Sequence, residues 1–128
     1  MHILSIVESP AHPRLDTVLA PLGHELETVA SQRKAIAAIK KKPPDVVFAE
    51  FFYGWGNNYA GVNISNLDVF LYSLQRYAPQ ARVVVMVDKA EREYVDKLEE
   101  ILPLAAVLIN PVSPEQAVRT LGEITGQG

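Results

Sequence analysis

The sequence predicts an α/β protein built on one parallel sheet with helices on both faces. Two observations carry this prediction. Short runs rich in Val and Ile alternate with stretches whose apolar residues recur at helical spacing. The third and fourth runs, Val46-Val47-Phe48-Ala49 and Val83-Val84-Val85-Met86-Val87, are apolar without alternation. Strands covered on both faces read that way, and parallel sheets are covered on both faces. The chain has 128 residues, of which 48% are hydrophobic. That suits a single domain over 1–128 with its own core.

The elements follow in order. Ile3 to Val7 is an apolar strand, broken by Ser9-Pro10-Ala11-His12-Pro13. Leu15, Val18, Leu19 and Leu22 recur at helical spacing, and Gly23 is the stop. Glu25 to Ala30 is a second strand. Ser31 caps a helix that turns Ala35, Ile36 and Ile39 inward. Pro43-Pro44 ends that helix, because proline cannot continue it and restricts the residue before. Val46 to Phe52 is the third strand. Leu67, Phe70, Leu71 and Leu74 form the stripe of a third helix, and Val83 to Val87 is the fourth strand. Asp88, with Glu91 three positions on, reads as a capping box for a helix burying Val95, Leu98 and Leu102. Ala105 to Ile109 is the fifth strand. Ser113-Pro114-Glu115-Gln116 then opens a helix carrying Ala117, Val118, Leu121 and Ile124.

Parallel strands joined by helices need right-handed crossovers, which place helices on both faces. The expected arrangement is the flavodoxin-like doubly wound sheet of order 2-1-3-4-5. Its switch point lies between strands 1 and 3, where ligands of such folds bind. The residues at that edge are Val7 to Pro10, Glu50 to Val62, Val87 to Ala90 and Asn110 to Ser113.

Composition narrows the function. Net charge is −3, which argues against nucleic acid as partner. The one basic run, Lys40-Lys41-Lys42, sits at a helix end and complements the helix dipole there. With no cysteine there are no disulfides, thiolate nucleophiles or Cys metal sites. No apolar run approaches the roughly 20 residues needed to span a bilayer, and Met1 leads straight into a strand. A cytoplasmic protein without a membrane partner is expected. His2, His12 and His24 lack metal-ligand spacing, with His12 at the edge of the site. Ser5 and Ser9 lack the context of a nucleophile elbow. Phosphate-cradling glycine loops are missing, and no cofactor is expected.

Two segments, Pro44-Asp45-Val46-Val47-Phe48-Ala49-Glu50 and Leu108-Ile109-Asn110-Pro111-Val112-Ser113-Pro114-Glu115, carry a family resemblance. With the order of elements, they make the chain resemble the bacterial response-regulator receiver domains over nearly its whole length. The resemblance implies phosphoryl transfer to an Asp ending strand 3, and here that residue is Glu50. Two acidic residues after strand 1 hold Mg²⁺ in receivers; the matching pair is Val7 and Glu8. The hydroxyl residue ending strand 4 matches Val87. The lysine before the strand 5 proline matches Asn110, and the switch aromatic matches Val107. One acid of the Mg²⁺-holding pair, Glu8, and Pro111 are retained, with the bond before Pro111 expected cis as in the family. Phosphoryl transfer depends on positioning and charge neutralisation, so these replacements remove it. The resemblance thus implies a pseudo-receiver without catalysis. Glu50 is expected to bond Asn110 and nearby backbone amides, closing the old pocket, or else to imitate a phosphorylated aspartate.

The loop Phe51 to Val62 is longer than its counterpart in receivers and holds Phe52, Tyr53, Trp55, Asn57, Asn58 and Tyr59. Aromatics on a loop at the functional edge suit a binding surface. They equally suit a lid over the emptied pocket. A protein-interaction module is therefore expected, its surface this loop or the face of helix 4, strand 5 and helix 5, with Tyr94 and Leu98 as candidates for a homodimer. The alternative is a small-molecule sensor holding its ligand between Glu8, Glu50 and Trp55.

Overall fold

The computed structural model describes residues 1–54 and 65–126. Five strands, β1 (His2–Ile6), β2 (Glu25–Val29), β3 (Val46–Glu50), β4 (Arg82–Val87) and β5 (Ala106–Ile109), form one sheet. All pairs are parallel and the order is β2-β1-β3-β4-β5, as the sequence predicts. The helices are α1 (Asp16–Leu19), α2 (Gln32–Lys41), α3 (Asp68–Tyr77), α4 (Arg92–Val95) and α5 (Pro114–Thr125). No helix among the described residues is long and apolar enough to cross a membrane.

Strand alternation splits the core in two. Ile3, Val46, Phe48, Val84 and Met86 face Leu15 and Leu19 by α1 and Ala117 and Leu121 of α5. Leu4, Ile6, Val47, Ala49, Val83 and Val85 face Ala35 and Ile39 of α2 and Phe70, Leu71 and Leu74 of α3. Every residue of β3 is buried, which explains its unbroken apolar run. Each large apolar side chain so buried stabilises the fold by about 1.5–3 kcal/mol.

Caps fall where the sequence puts them. The Ser31 hydroxyl accepts from the Lys34 amide at 3.2 Å, and the Ser113 hydroxyl from the Gln116 amide at 3.1 Å. Gly23 ends the first helical stretch with φ +82°, a conformation that favours glycine.

The structure corrects several expectations. The first helix is one α turn followed by a 3₁₀ turn, Ala20–Leu22, because Pro21 lacks the N–H an α turn would use. Leu22 is consequently not core: it is 56% exposed, in a groove lined also by His24 and Val118. The helix expected after Asp88 is a single α turn between two 3₁₀ turns, Lys89–Glu91 and Asp96–Glu100. Asp88 makes no cap bond there; its Oδ1 accepts from Asn110 Nδ2. Glu91 accepts instead from the Tyr53 amide at 3.0 Å. Val95, Leu98 and Leu102 are buried as expected, but Leu98 is fully so and cannot form a dimer face. Strand ends shift by a residue or two. β3 stops at Glu50 rather than Phe52 because the Phe52 amide leaves the sheet to donate to Asn66 Oδ1 at 2.8 Å.

Candidate functional site

β3 delivers Glu50 to the carboxyl edge of the sheet, between β1 and β4, with 2% of its surface exposed. A buried carboxylate needs donors, and the loop after β1 supplies them. Oε2 accepts from the amides of Glu8 at 2.7 Å and Ser9 at 3.1 Å. Oε1 accepts from the Ser9 hydroxyl. Ser9 to His12 forms a turn closed by the His12 amide on the Ser9 carbonyl at 3.3 Å. That turn swings the His12 ring beneath the loop, where Nδ1 lies 3.5 Å from Glu50 Oε2 with both side chains buried. Nε2 lies 2.5 Å from the Ser5 hydroxyl of β1. Burial by itself raises the Glu50 carboxyl pKa. The His12 imidazole, the Ser9 hydroxyl and the Glu8 amide outweigh it and hold the group below the usual carboxylate value.

The second glutamate is also occupied. Glu8 Oε1 accepts from Gln32 Nε2 at 2.6 Å and Asn66 Nδ2 at 2.9 Å. Asn66 joins the layers. Its amide nitrogen also donates to the Glu50 carbonyl at 2.8 Å, and its oxygen takes the Phe52 amide. Ser65 and Asp68 hold Asn66 in place: Asp68 Oδ1 accepts from the Ser65 amide at 2.7 Å and hydroxyl at 2.9 Å.

On the other side of β3 the pocket is different. Val87 is fully buried and pairs with Ile109. Asn110 does not reach Glu50, contrary to the expectation. Its side chain donates to Asp88 Oδ1 at 2.9 Å, away from β3. The Asn110–Pro111 bond is cis, as expected. A receiver-type Mg²⁺ does not fit these residues. Both Glu50 oxygens and Glu8 Oε1 are bound to donors of the chain itself, and Val7 offers no ligand.

Of the loop residues, Tyr53 stacks on Tyr94 with centroids 3.8 Å apart and planes 21° from parallel. Phe52 is half-buried. Trp55, Asn57, Asn58 and Tyr59 lie outside the described residues, so the placement expected for them, and for a ligand between Glu8, Glu50 and Trp55, does too.

The sequence reading missed Ser9, His12, Ser5, Gln32 and Asn66 as members of one network. One signal was available. Ser65, three residues before Asp68 and just ahead of an apolar stripe, has the spacing of a capping box. His12 had no comparable signal, since its role depends on a turn closing over the end of β1.

No family model matches the chain, and no curated protein does. Solved structures do. The receiver domain of NtrX from Brucella abortus superposes with a TM-score of 0.74 at 16% identity, over 100% of both chains. The chemotaxis response regulator CheY4 of Vibrio cholerae gives 0.71 at 19% identity, covering 96% of this chain and 97% of that one. This is the receiver-domain fold. In a longer NtrX structure, determined in complex with ADP, the chain covers 98% of itself but only 28% of the other (TM-score 0.69, 19% identity). On the receiver fold, Glu50 stands at the end of β3, Val87 at the end of β4 and Asn110 just after β5.

Proposed function

We propose that the chain is a non-phosphorylatable pseudo-receiver: one domain that acts by binding another protein in bacterial signalling in the cytoplasm, and not an enzyme of phosphoryl transfer. One observation carries this reading. The carboxylate at the phosphoacceptor position already accepts from two backbone amides and a hydroxyl, and faces His12. An attacking oxygen needs a free lone pair aligned with its donor, and a phosphoryl product needs cations around it. Glu50 has neither the freedom nor, with Asn110 turned to Asp88, a lysine opposite.

The surface offered to a partner is the same edge. Tyr53 is 49% exposed and is held by its stack on Tyr94 and by the hydrogen bond its backbone amide donates to the Glu91 carboxylate. An exposed aromatic fixed in place contributes contact area at little entropic cost.

The test is a titration with Mg²⁺ and beryllofluoride, which mimics a phosphorylated receiver, followed by Trp55 fluorescence and amide NMR. No saturable change is expected. A saturable change that disappears in Glu50→Gln would overturn the reading.

A further inference from the structure

The Ser5, His12 and Glu50 side chains form a continuous chain of polar contacts whose Ser5 end the pseudo-receiver reading does not use. His12 Nδ1 lies 3.5 Å from Glu50 Oε2, a facing contact rather than a hydrogen bond, and a carboxylate only accepts, so the tautomer that complements it has its proton on Nδ1. In the neutral ring Nε2 is then the acceptor, and the Ser5 hydroxyl donates to it at 2.5 Å. A hydroxyl bonded to an imidazole whose other nitrogen is turned toward a buried carboxylate is the arrangement that activates a serine nucleophile.

This chain of contacts ends at a space. A cavity of about 200 Å³ lies between β1, β2 and the start of α1, and Ser5 and His12 both line it. Leu15 and Leu26 give it apolar walls, and Thr28, level with Ser5 in the β1–β2 register, lines it too. The volume suits a short acyl group. We propose that Ser5 is an acyl-accepting nucleophile, with His12 as its base and Glu50 as the residue that positions His12.

In the step, Ser5 Oγ bonds to the carbonyl carbon of an activated acyl ester and passes its proton to His12 Nε2. The ester C–O bond breaks, and the leaving phenol or alcohol departs with that proton. The product is an ester on Ser5, with His12 neutral again. Glu50 stabilises the imidazolium between the two transfers. The amides of Glu8 and Ser9 are given to Glu50 and so do not serve as an oxyanion hole. The reaction is therefore slow, and is confined to esters with good leaving groups.

The experiment treats the folded chain with p-nitrophenyl acetate, follows p-nitrophenolate release and maps the acetyl group by peptide mass spectrometry. Acetylation of Ser5 is expected. Ser5→Ala removes it, and His12→Asn slows it about 100-fold. The positioning role of Glu50 is read separately: a low-field His12 imidazole N–H resonance in the proton NMR spectrum should be lost in Glu50→Gln. Acetyl groups found only on lysines and the amino terminus of the unmutated chain would overturn the proposal, and that measurement needs no variant to fold. Ser5 acetylated at an unchanged rate in His12→Asn would also overturn it.

Discussion

The two sides of Glu50 differ in kind. Toward β1 lies a network of buried and partly buried groups: two amides, a hydroxyl, an imidazole and, one layer out, Gln32 and Asn66. Toward β4 and β5 lie apolar Val87 and, beyond it, the Asn110–Asp88 bond, whose Asp88 end is exposed. Receivers are implied to neutralise this carboxylate from the β5 side, with a lysine. Here the donors come from the β1 loop. Since Glu50 is buried, its charge must be compensated, and among the described residues the donors come from one side of the strand. A carboxylate can thus stay buried at the edge of a sheet when its donors arrive from a single neighbouring loop.

The largest effect should come from breaking the buried side at Asn66. Asn66→Ala removes at once the acceptor of the Phe52 amide, a donor to the Glu50 carbonyl and a donor to Glu8. Buried groups left unpaired cost about 1–3 kcal/mol each, so a loss of about 3 kcal/mol is expected by urea unfolding. A loss below about 1 kcal/mol would mean that water reaches this layer and that the two sides do not differ as described.

Glu50→Gln comes next. The amide is isosteric but uncharged, and it cannot accept on both termini. At neutral pH it should lose about 1–3 kcal/mol. The sign with pH follows from linkage. The Glu50 pKa is lowered on folding, so its contribution is complete above the usual carboxylate value of 4.5 and is lost as pH falls through the folded value. The stability difference between Glu50→Gln and the unmutated chain should therefore shrink on acidification below about pH 4.5. A difference constant from neutral pH down through the acid range would remove the charged network from the account.

How much of this was legible in the sequence follows from the range of each interaction. Strand positions, to within a residue or two, and the Ser31 and Ser113 caps rest on patterns a few residues long, and the sheet order on the crossover rule for such alternation; all appear as expected. Glu50 at the edge of the sheet was legible because it directly follows the unbroken apolar run Val46 to Ala49 of the third strand. Of its partners, the nearby backbone amides were expected and are found, while the side chains were not. His12 reaches it through a turn, Asn66 from 16 residues away, and Gln32 reaches Glu8 from the start of α2. The capping-box pattern at Asp88 misled because two tertiary contacts outbid it. Asp88 accepts from Asn110 and Glu91 from Tyr53. Leu98 was placed on a dimer face by analogy with receivers, while the irregular winding around α4 turns it fully into the core.

The smallest effect is the sharpest check on the contrast. Asn110 stands where receivers are implied to hold their lysine, so a functional pocket would make it sensitive. Its one side-chain bond in the described structure is to Asp88, whose side is exposed to water. Water replaces such a bond readily, and substitutions at sites like this stay within about 0.5 kcal/mol. Asn110→Ala should therefore unfold in urea within about 0.5 kcal/mol of the unmutated chain and leave the dependence on pH below 4.5 unchanged. A loss approaching that of Glu50→Gln, with a changed acid limb, would put Asn110 back in contact with the carboxylate. The charge would then be shared across both sides of β3, and the β1 loop alone would not account for it.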